Sequence, residues 1–404
     1  MAKFTYTARD QKAQSITGVI EAQEKSSAVK ELKKRGLTII DLFEGEGQKK
    51  FSSLSFGGAK IKSMDLVVFS RQLATLIDSG VSLITALNVL HDQVENPKLK
   101  EIIVNIKNDI ESGNSLSASF AKYPKAFPGI FTNMIKAGES SGSLNEILER
   151  VADYLERSEN LSRKVKSSMT YPTLVVGMAG IIIAFLMIKV VPTFKNIFTS
   201  LGGNLPAPTQ FLITASDLSV RYFPVLFILV IVGIVALNRY ISSASGRINF
   251  DSFKLKMPIF GVIISKICIS RFTRTLATLV KSGVSILEAF EIAGKVSGNK
   301  IIEMATEQIR SNMRAGENIS EPMEETGKFP PFVVKMIAVG EQTGELERML
   351  TKISDYYETQ VNDSMSEMTS MIEPLIISFL GVTIGFIVVA MFMPIFQLTT
   401  LINK

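Results

Sequence analysis

The chain has 404 residues, 46% of them hydrophobic and 20% charged, with a formal net charge of +6 at pH 7. One histidine and one cysteine exclude an internal disulfide framework, a metal centre built on several histidines and any catalytic arrangement offering a choice of imidazole bases. Nucleic-acid binding is disfavoured too, because the basic residues are interleaved with acids and lack an aromatic platform.

Residues 1–44 predict a small α+β module. KFTYTAR alternates polar and apolar positions, ITGVIEA follows, SSAVKELKKRG reads as a helix closed by Gly36, and LTIIDLF returns as a strand. The Gly/Ser/Lys-rich tract at 45–62 predicts a flexible linker.

Beyond the linker the chain is one unit written twice. FSRQLATLIDSGVSLITAL from Phe69 recurs 203 residues later as FTRTLATLVKSGVSILEAF from Phe272, and at the same offset Gly113 meets Gly316 and Ser117 meets Ser320. After a one-residue deletion the offset is 202, so GESSG at 138–142 meets GEQTG at 340–344 and Tyr154 meets Tyr356. Each copy predicts a bundle of short helices. Asn96-Pro97 opens one helix, Leu99, Ile102, Ile103, Ile106 and Ile110 share its face, and Gly113 closes it. Ser143 and Glu146 predict a capping box at the start of a long amphipathic helix aimed at Pro172.

Three apolar runs, 171–188, 222–237 and 374–396, carry no charge. About 20 helical residues cross a hydrocarbon core of about 30 Å, so the first and third qualify. The second is short enough to be a buried core helix. However, two homologous polar units belong in one compartment, which requires an even number of crossings between them. The expected order is therefore repeat 1 at 63–170, a span at 171–191, an outer loop at 192–217, a span at 218–238, linker and repeat 2 at 239–373, a span at 374–396 and an outer tail at 397–404. Arg157, Arg163, Lys164 and Lys166 before the first span, and Arg239, Arg247, Lys254 and Lys256 after the second, place both repeats and the amino terminus in the cytoplasm. The fold class expected is a mainly α integral membrane protein with two cytoplasmic helical bundles, three transmembrane helices and the small amino-terminal α+β module.

Candidate site residues are few. No G-x-x-x-x-G-K-[ST] occurs, so no nucleotide cradle, cofactor site or catalytic group is expected and any work must be powered from elsewhere. Gly138, Glu139 and Gly142, with Gly340, Glu341 and Gly344, read as helix-helix turns or as paired acidic contacts for a partner. Glu149 and Asp153 are weak candidates for a divalent cation. Tyr171, Pro172, Pro192, Glu373, Pro374 and Pro394 mark membrane boundaries. Gly177 with Gly180, and Gly381 with Gly385, have the spacing of close helix packing among spans or protomers. A small transporter subunit is the alternative reading, disfavoured because no ionisable residue sits at depth in a span.

KVKSSMTYP from Lys164 to Pro172, the VVP of Val190, Val191 and Pro192, LPAPT at 205–209, the duplicated SGVS and GE-x-x-G segments and the terminal MPIFQL resemble the type II secretion F-protein family, which includes type IV pilus inner-membrane platform proteins. The second copy departs from that pattern where Ser366 replaces Lys164 and Glu373 replaces Tyr171. The resemblance implies a homo-oligomeric scaffold in the bacterial inner membrane. A cytoplasmic hexameric ATPase engages it, and it works with pilin or pseudopilin subunits and other inner-membrane assembly proteins. Pilus and secretion use, and assembly and retraction, both stay open at the level of sequence.

Overall fold

The structure, a computed structural model, describes residues 2–9, 15–22, 25–34, 38–44, 60–200, 206–258 and 260–402. The chain divides into two units, Met1–Lys60 and Ile61–Lys404. In the first, strands β1 (Ala2–Arg9), β2 (Ser15–Ala22) and β3 (Thr38–Glu44) form an antiparallel sheet in the order β2-β1-β3. Helix α1 (Lys25–Lys34) buries Ala28 and Leu32, which lie one turn apart. Gly36 and residues 45–59 of the expected linker lie outside the described residues.

Among its described residues the second unit contains helices and connecting turns and no strand. Repeat 1 runs through α2 (Ser63–Asp78), α3 (Leu83–Gln93), α4 (Pro97–Glu111), α5 (Leu116–Ala121), α6 (Gly129–Ser141) and α7 (Leu144–Phe185). A π-helical turn, Leu186–Val190, leads into α8 (Val191–Ser200), and then come α9 (Ala207–Ile241) and α10 (Ala244–Lys256). Repeat 2 repeats the order as α11 (Phe260–Lys281), α12 (Ile286–Val296), α13 (Lys300–Arg314), α14 (Ser320–Glu325), α15 (Pro331–Thr343) and α16 (Leu346–Ile402).

Local chemistry sets several of these boundaries. Asn96 accepts from the amides of Lys98 and Leu99, with Pro97 at the first helical position, and α4 buries Leu99, Ile102, Ile103 and Ile106. The predicted capping box at α7 is absent. Ser143, following left-handed Gly142, has φ −105° and ψ 42° and caps nothing; its hydroxyl meets that of Ser141 at 2.7 Å, and Glu146 turns to Arg150. The proline positions do not end helices: α7 passes through Pro172, and α16 passes through Pro374 and Pro394. The 192–217 connection is helical up to Ser200 and again from Ala207.

The two repeats share one hydrophobic core. In repeat 1 its centre is aromatic: Phe120 lies 4.5 Å from Phe127 and 4.8 Å from Phe131 between ring centroids. In repeat 2 the same places hold Met323, Phe329 and Val333, while Phe290 replaces Leu87. Bulk lost at one position is regained at another, which is how related cores keep their packing density.

Two helices are long and apolar enough to cross a membrane, one within Leu144–Ile197 and one within Leu346–Pro394. A third is added if the bent pair Ile228–Ile241 and Ala244–Lys256 is a single span.

Phe120→Ala removes a fully buried ring and is expected to cost about 3–5 kcal/mol. The check is chemical denaturation of the detergent-solubilised chain followed by circular dichroism.

Candidate functional site

Each repeat contains one short helix whose first amides would otherwise be unpaired, and the GE-x-x-G corner supplies the missing acceptor. The half-buried Glu139 carboxylate accepts from the Leu116 amide at 2.5 Å, from the Ser117 amide at 3.2 Å and from the Ser117 hydroxyl. Glu341 accepts from the Ile319 and Ser320 amides, the latter at 3.0 Å. A carboxylate there satisfies orphan N–H groups and opposes the positive end of the helix. The flanking glycines have separate duties. A Cβ on Gly138 would lie 2.9 Å from the Ile147 side chain, and one on Gly340 would lie 2.9 Å from the Leu346 backbone, so these two allow α6 against α7 and α15 against α16. Gly142 and Gly344 adopt φ 71° and φ 73°, the left-handed conformation that ends each helix. The corner is thus a device that fixes a short helix, a turn and the start of a long helix together. Both carboxylates point inward.

Glu149 and Asp153, the weak divalent-cation candidates, are paired with a guanidinium. Arg71 of α2 donates to Glu149, to Asp153 at 2.6 Å and to Glu156 at 2.6 and 2.8 Å. Hydrogen bonds to Glu156 and then Asp153 push its pKa up. Among the described residues no group of three or more His, Cys, Asp or Glu could hold a metal. Repeat 2 builds the same clamp: Arg274 of α11 donates to Asp355 and Glu358 of α16, each at 2.7 Å. Each arginine fastens the first helix of its repeat to the helix that carries the apolar run. The sequence signal was available, since Arg71 and Arg274, Asp153 and Asp355, and Glu156 and Glu358 are repeat equivalents.

The repeats meet where α7 lies against α11 and α16. The buried Tyr154 hydroxyl is 3.0 Å from the Thr275 hydroxyl, Arg271 donates to Ser162 at 3.3 Å, and Arg150 donates to the Lys281 carbonyl. Further along, Leu161 packs with Ile263, Val361, Met365 and Met368.

Past this junction α7 and α16 enter their apolar runs, where large side chains such as Ile181 (71% exposed) and Val382 (74% exposed) face outward. Tyr171 and Glu373 are exposed; Pro172 and Pro394 are buried, Pro192 is half-buried and Pro374 exposed. Val191, Leu212, Ile213, Ile387, Ala390 and Met391 bring α8, α9 and α16 together, and Ser216 donates to the Met187 carbonyl within the π turn. The glycine stripes have no part in this. A methyl on Gly177, Gly180, Gly381 or Gly385 would meet nothing within 4 Å, so within one chain they pack no helix.

The family described as type II secretion system (T2SS), protein F, matches residues 69–192 and 272–394, and its N-terminal domain matches residues 1–42. The chain is similar to a type IV pilus assembly protein PilC of Thermus thermophilus, 38% identical with 98% of each chain covered. A type IV pilus assembly protein PilC of Myxococcus xanthus is 36% identical, over 98% of this chain and 95% of the relative. A type II secretion system protein F of Vibrio cholerae is 33% identical over 100% of both.

Glu139→Ala strips the acceptor from α5 and is expected to destabilise by about 1–2 kcal/mol, with Glu139→Gln losing less because one oxygen remains. Gly344→Val, which forces a branched residue to positive φ, is expected to cost about 1–3 kcal/mol. Thermal unfolding of the purified variants checks the order.

Proposed function

Because the chain belongs to the type II secretion system protein F family, we propose that it is the inner-membrane platform of a type IV pilus or type II secretion machine. It couples a cytoplasmic hexameric ATPase to the extraction of pilin or pseudopilin subunits from the bilayer. The observation that carries the reading is the pair of long helices, each clamped by an arginine to its bundle and each continuing without a break into an apolar run. A displacement imposed on a bundle is passed directly to the segment in the lipid.

In this reading the bundles and the amino terminus are cytoplasmic and α7, α9 and α16 supply three spans. The 192–217 connection and the 397–404 tail are periplasmic. The exposed side chains of α9 from Ile228 to Leu237 support the middle span, since a continuous outward-facing apolar surface is stable in hydrocarbon and costly in water. The chain is not an enzyme and acts as a homo-oligomer. Energy comes from its ATPase partner, in keeping with a sequence that has no phosphate loop. Pulling a pilin helix from the membrane opposes an insertion that is close to irreversible, so a rigid lever is what the task requires.

In cells lacking this chain, pilins or pseudopilins are expected to remain inserted in the inner membrane, no filament forms, and the ATPase is lost from membrane fractions. Filament assembly without the chain, or saturable ATP binding by the purified chain alone, overturns the reading.

A further inference from the structure

The contact between the repeats has two unlike sides. One is the outer face of α7, with Arg150, Tyr154, Leu161 and Val165. The other is the groove between α11 and α16, where Lys281, Thr275, Val361 and Met365 receive that face. Because the chain is a duplication, each repeat carries both a face and a groove. A contact of this kind engages the face of repeat 1 and the groove of repeat 2. Among the described residues of the second unit, the remaining pair stays open. The groove of repeat 1, between α2 and α7, is a trough of about 320 Å³ whose wall includes exposed Met64 and Val68. The face of repeat 2, on α16, presents Tyr356, Asp363 and Glu367 to solvent.

Transposing the internal contact by the repeat offsets gives the pairing these surfaces would make. Tyr154 and Thr275 become Tyr356 and Gln72, a hydroxyl against an amide. Arg150 and Lys281 become Lys352 and Asp78, an opposite-charge pair. Leu161 and Met365 become Asp363 and Arg163, and Met368 becomes Lys166, so an apolar contact becomes an acid facing two bases. Glu159, at the Val361 position, is the one like charge in the set. Membrane depth is conserved as well, since Tyr154 precedes Pro172, and Tyr356 precedes Pro374, by the same 18 residues.

We propose that the α2–α7 groove of one chain receives α16 of a second copy in this register, so that copies join head to tail through the same geometry that joins the repeats within a chain. The proposal rests on the reading of the chain as a self-associating platform and adds the surface and its polarity. A head-to-tail contact of this type closes into a ring when its rotation permits. Its charged character makes it dependent on ionic strength in a way that the apolar internal junction is not.

The test uses full-length chains in native membranes. Two differently tagged chains are co-expressed, one with Gln72→Cys and the other with Tyr356→Cys, and treated with a short bismaleimide. Cys268 is buried with its thiol pushed up to about 11 by that burial, and each single-cysteine variant alone controls for it. A mixed-tag covalent dimer is expected, with none from either variant alone and a ladder from a chain carrying both substitutions. Asp363→Lys is expected to cut the mixed dimer about tenfold, and Arg163→Asp in the partner chain to restore it. A dimer formed by Tyr356→Cys chains alone would mean a two-fold contact and overturn the proposal. Absence of the mixed dimer while lysine-directed cross-linking still captures oligomers would also overturn it and leave self-association standing; absence of both removes both.

Discussion

The architecture depends on α7 lying across the groove between α11 and α16. Without that contact the chain would be two small bundles on separate stalks. With it, Tyr154, Leu161 and their partners fuse both repeats into one core and bring α7 and α16, the two helices that carry long apolar runs, side by side. The contact changes character along its length. Hydrogen bonds made by Arg150, Tyr154 and Arg271 fix the register within the bundles, and nearer the lipid the packing turns apolar, through Leu161, Val165 and Met169. Polar groups define direction there, and burial of methyl and thioether groups supplies most of the attraction.

Rigidity at the corners complements that junction. Glu139 and Glu341 each tie the start of a short helix to the end of the helix that precedes α7 or α16, while Gly142 and Gly344 allow the sharp reversal into them. The arginine clamps hold the same long helices a few turns further along, at Glu149, Asp153 and Glu156 of α7 and at Asp355 and Glu358 of α16. These guanidinium–carboxylate pairs are partly solvated, so each adds modest stability; Arg71 grips Glu156 with two nitrogens, whereas Arg274 bridges Asp355 and Glu358 through one.

Much of this was legible in the sequence because the chain carries its own comparison. Self-alignment exposes the duplication, and the duplication argues for paired bundles and for an even number of crossings between them. The α4 face and its Asn96-Pro97 start were equally plain, since both depend on neighbours within one or two turns. What escaped were contacts between residues distant in sequence. Glu139 reaches a helix 22 and 23 residues earlier, a distance no local pattern encodes, so a turn or a partner contact was legible at that corner but not the amides its carboxylate caps. Glu149 and Asp153 were no more than weak divalent-cation candidates, and their pairing with Arg71 was hidden because it lies 78 and 82 residues away. The capping box at Ser143 failed for a local reason: the left-handed glycine before it sets a backbone from which the hydroxyl reaches no helix amide. Pro172, Pro374 and Pro394 lie inside α7 and α16, so as marks of the membrane boundary they do not coincide with helix ends.

If the shared core makes both bundles one rigid body, the distance between them stays constant while the machine works. Spin labels at Glu101→Cys on α4 and Arg314→Cys on α13 occupy exposed positions in different repeats, and buried Cys268 stays unlabelled. Pulsed electron paramagnetic resonance on the reconstituted chain, at rest and with the proposed ATPase partner hydrolysing ATP, should give the same single narrow distance in both states. A second distance population that appears only during hydrolysis would show the repeats moving against each other and contradict the account.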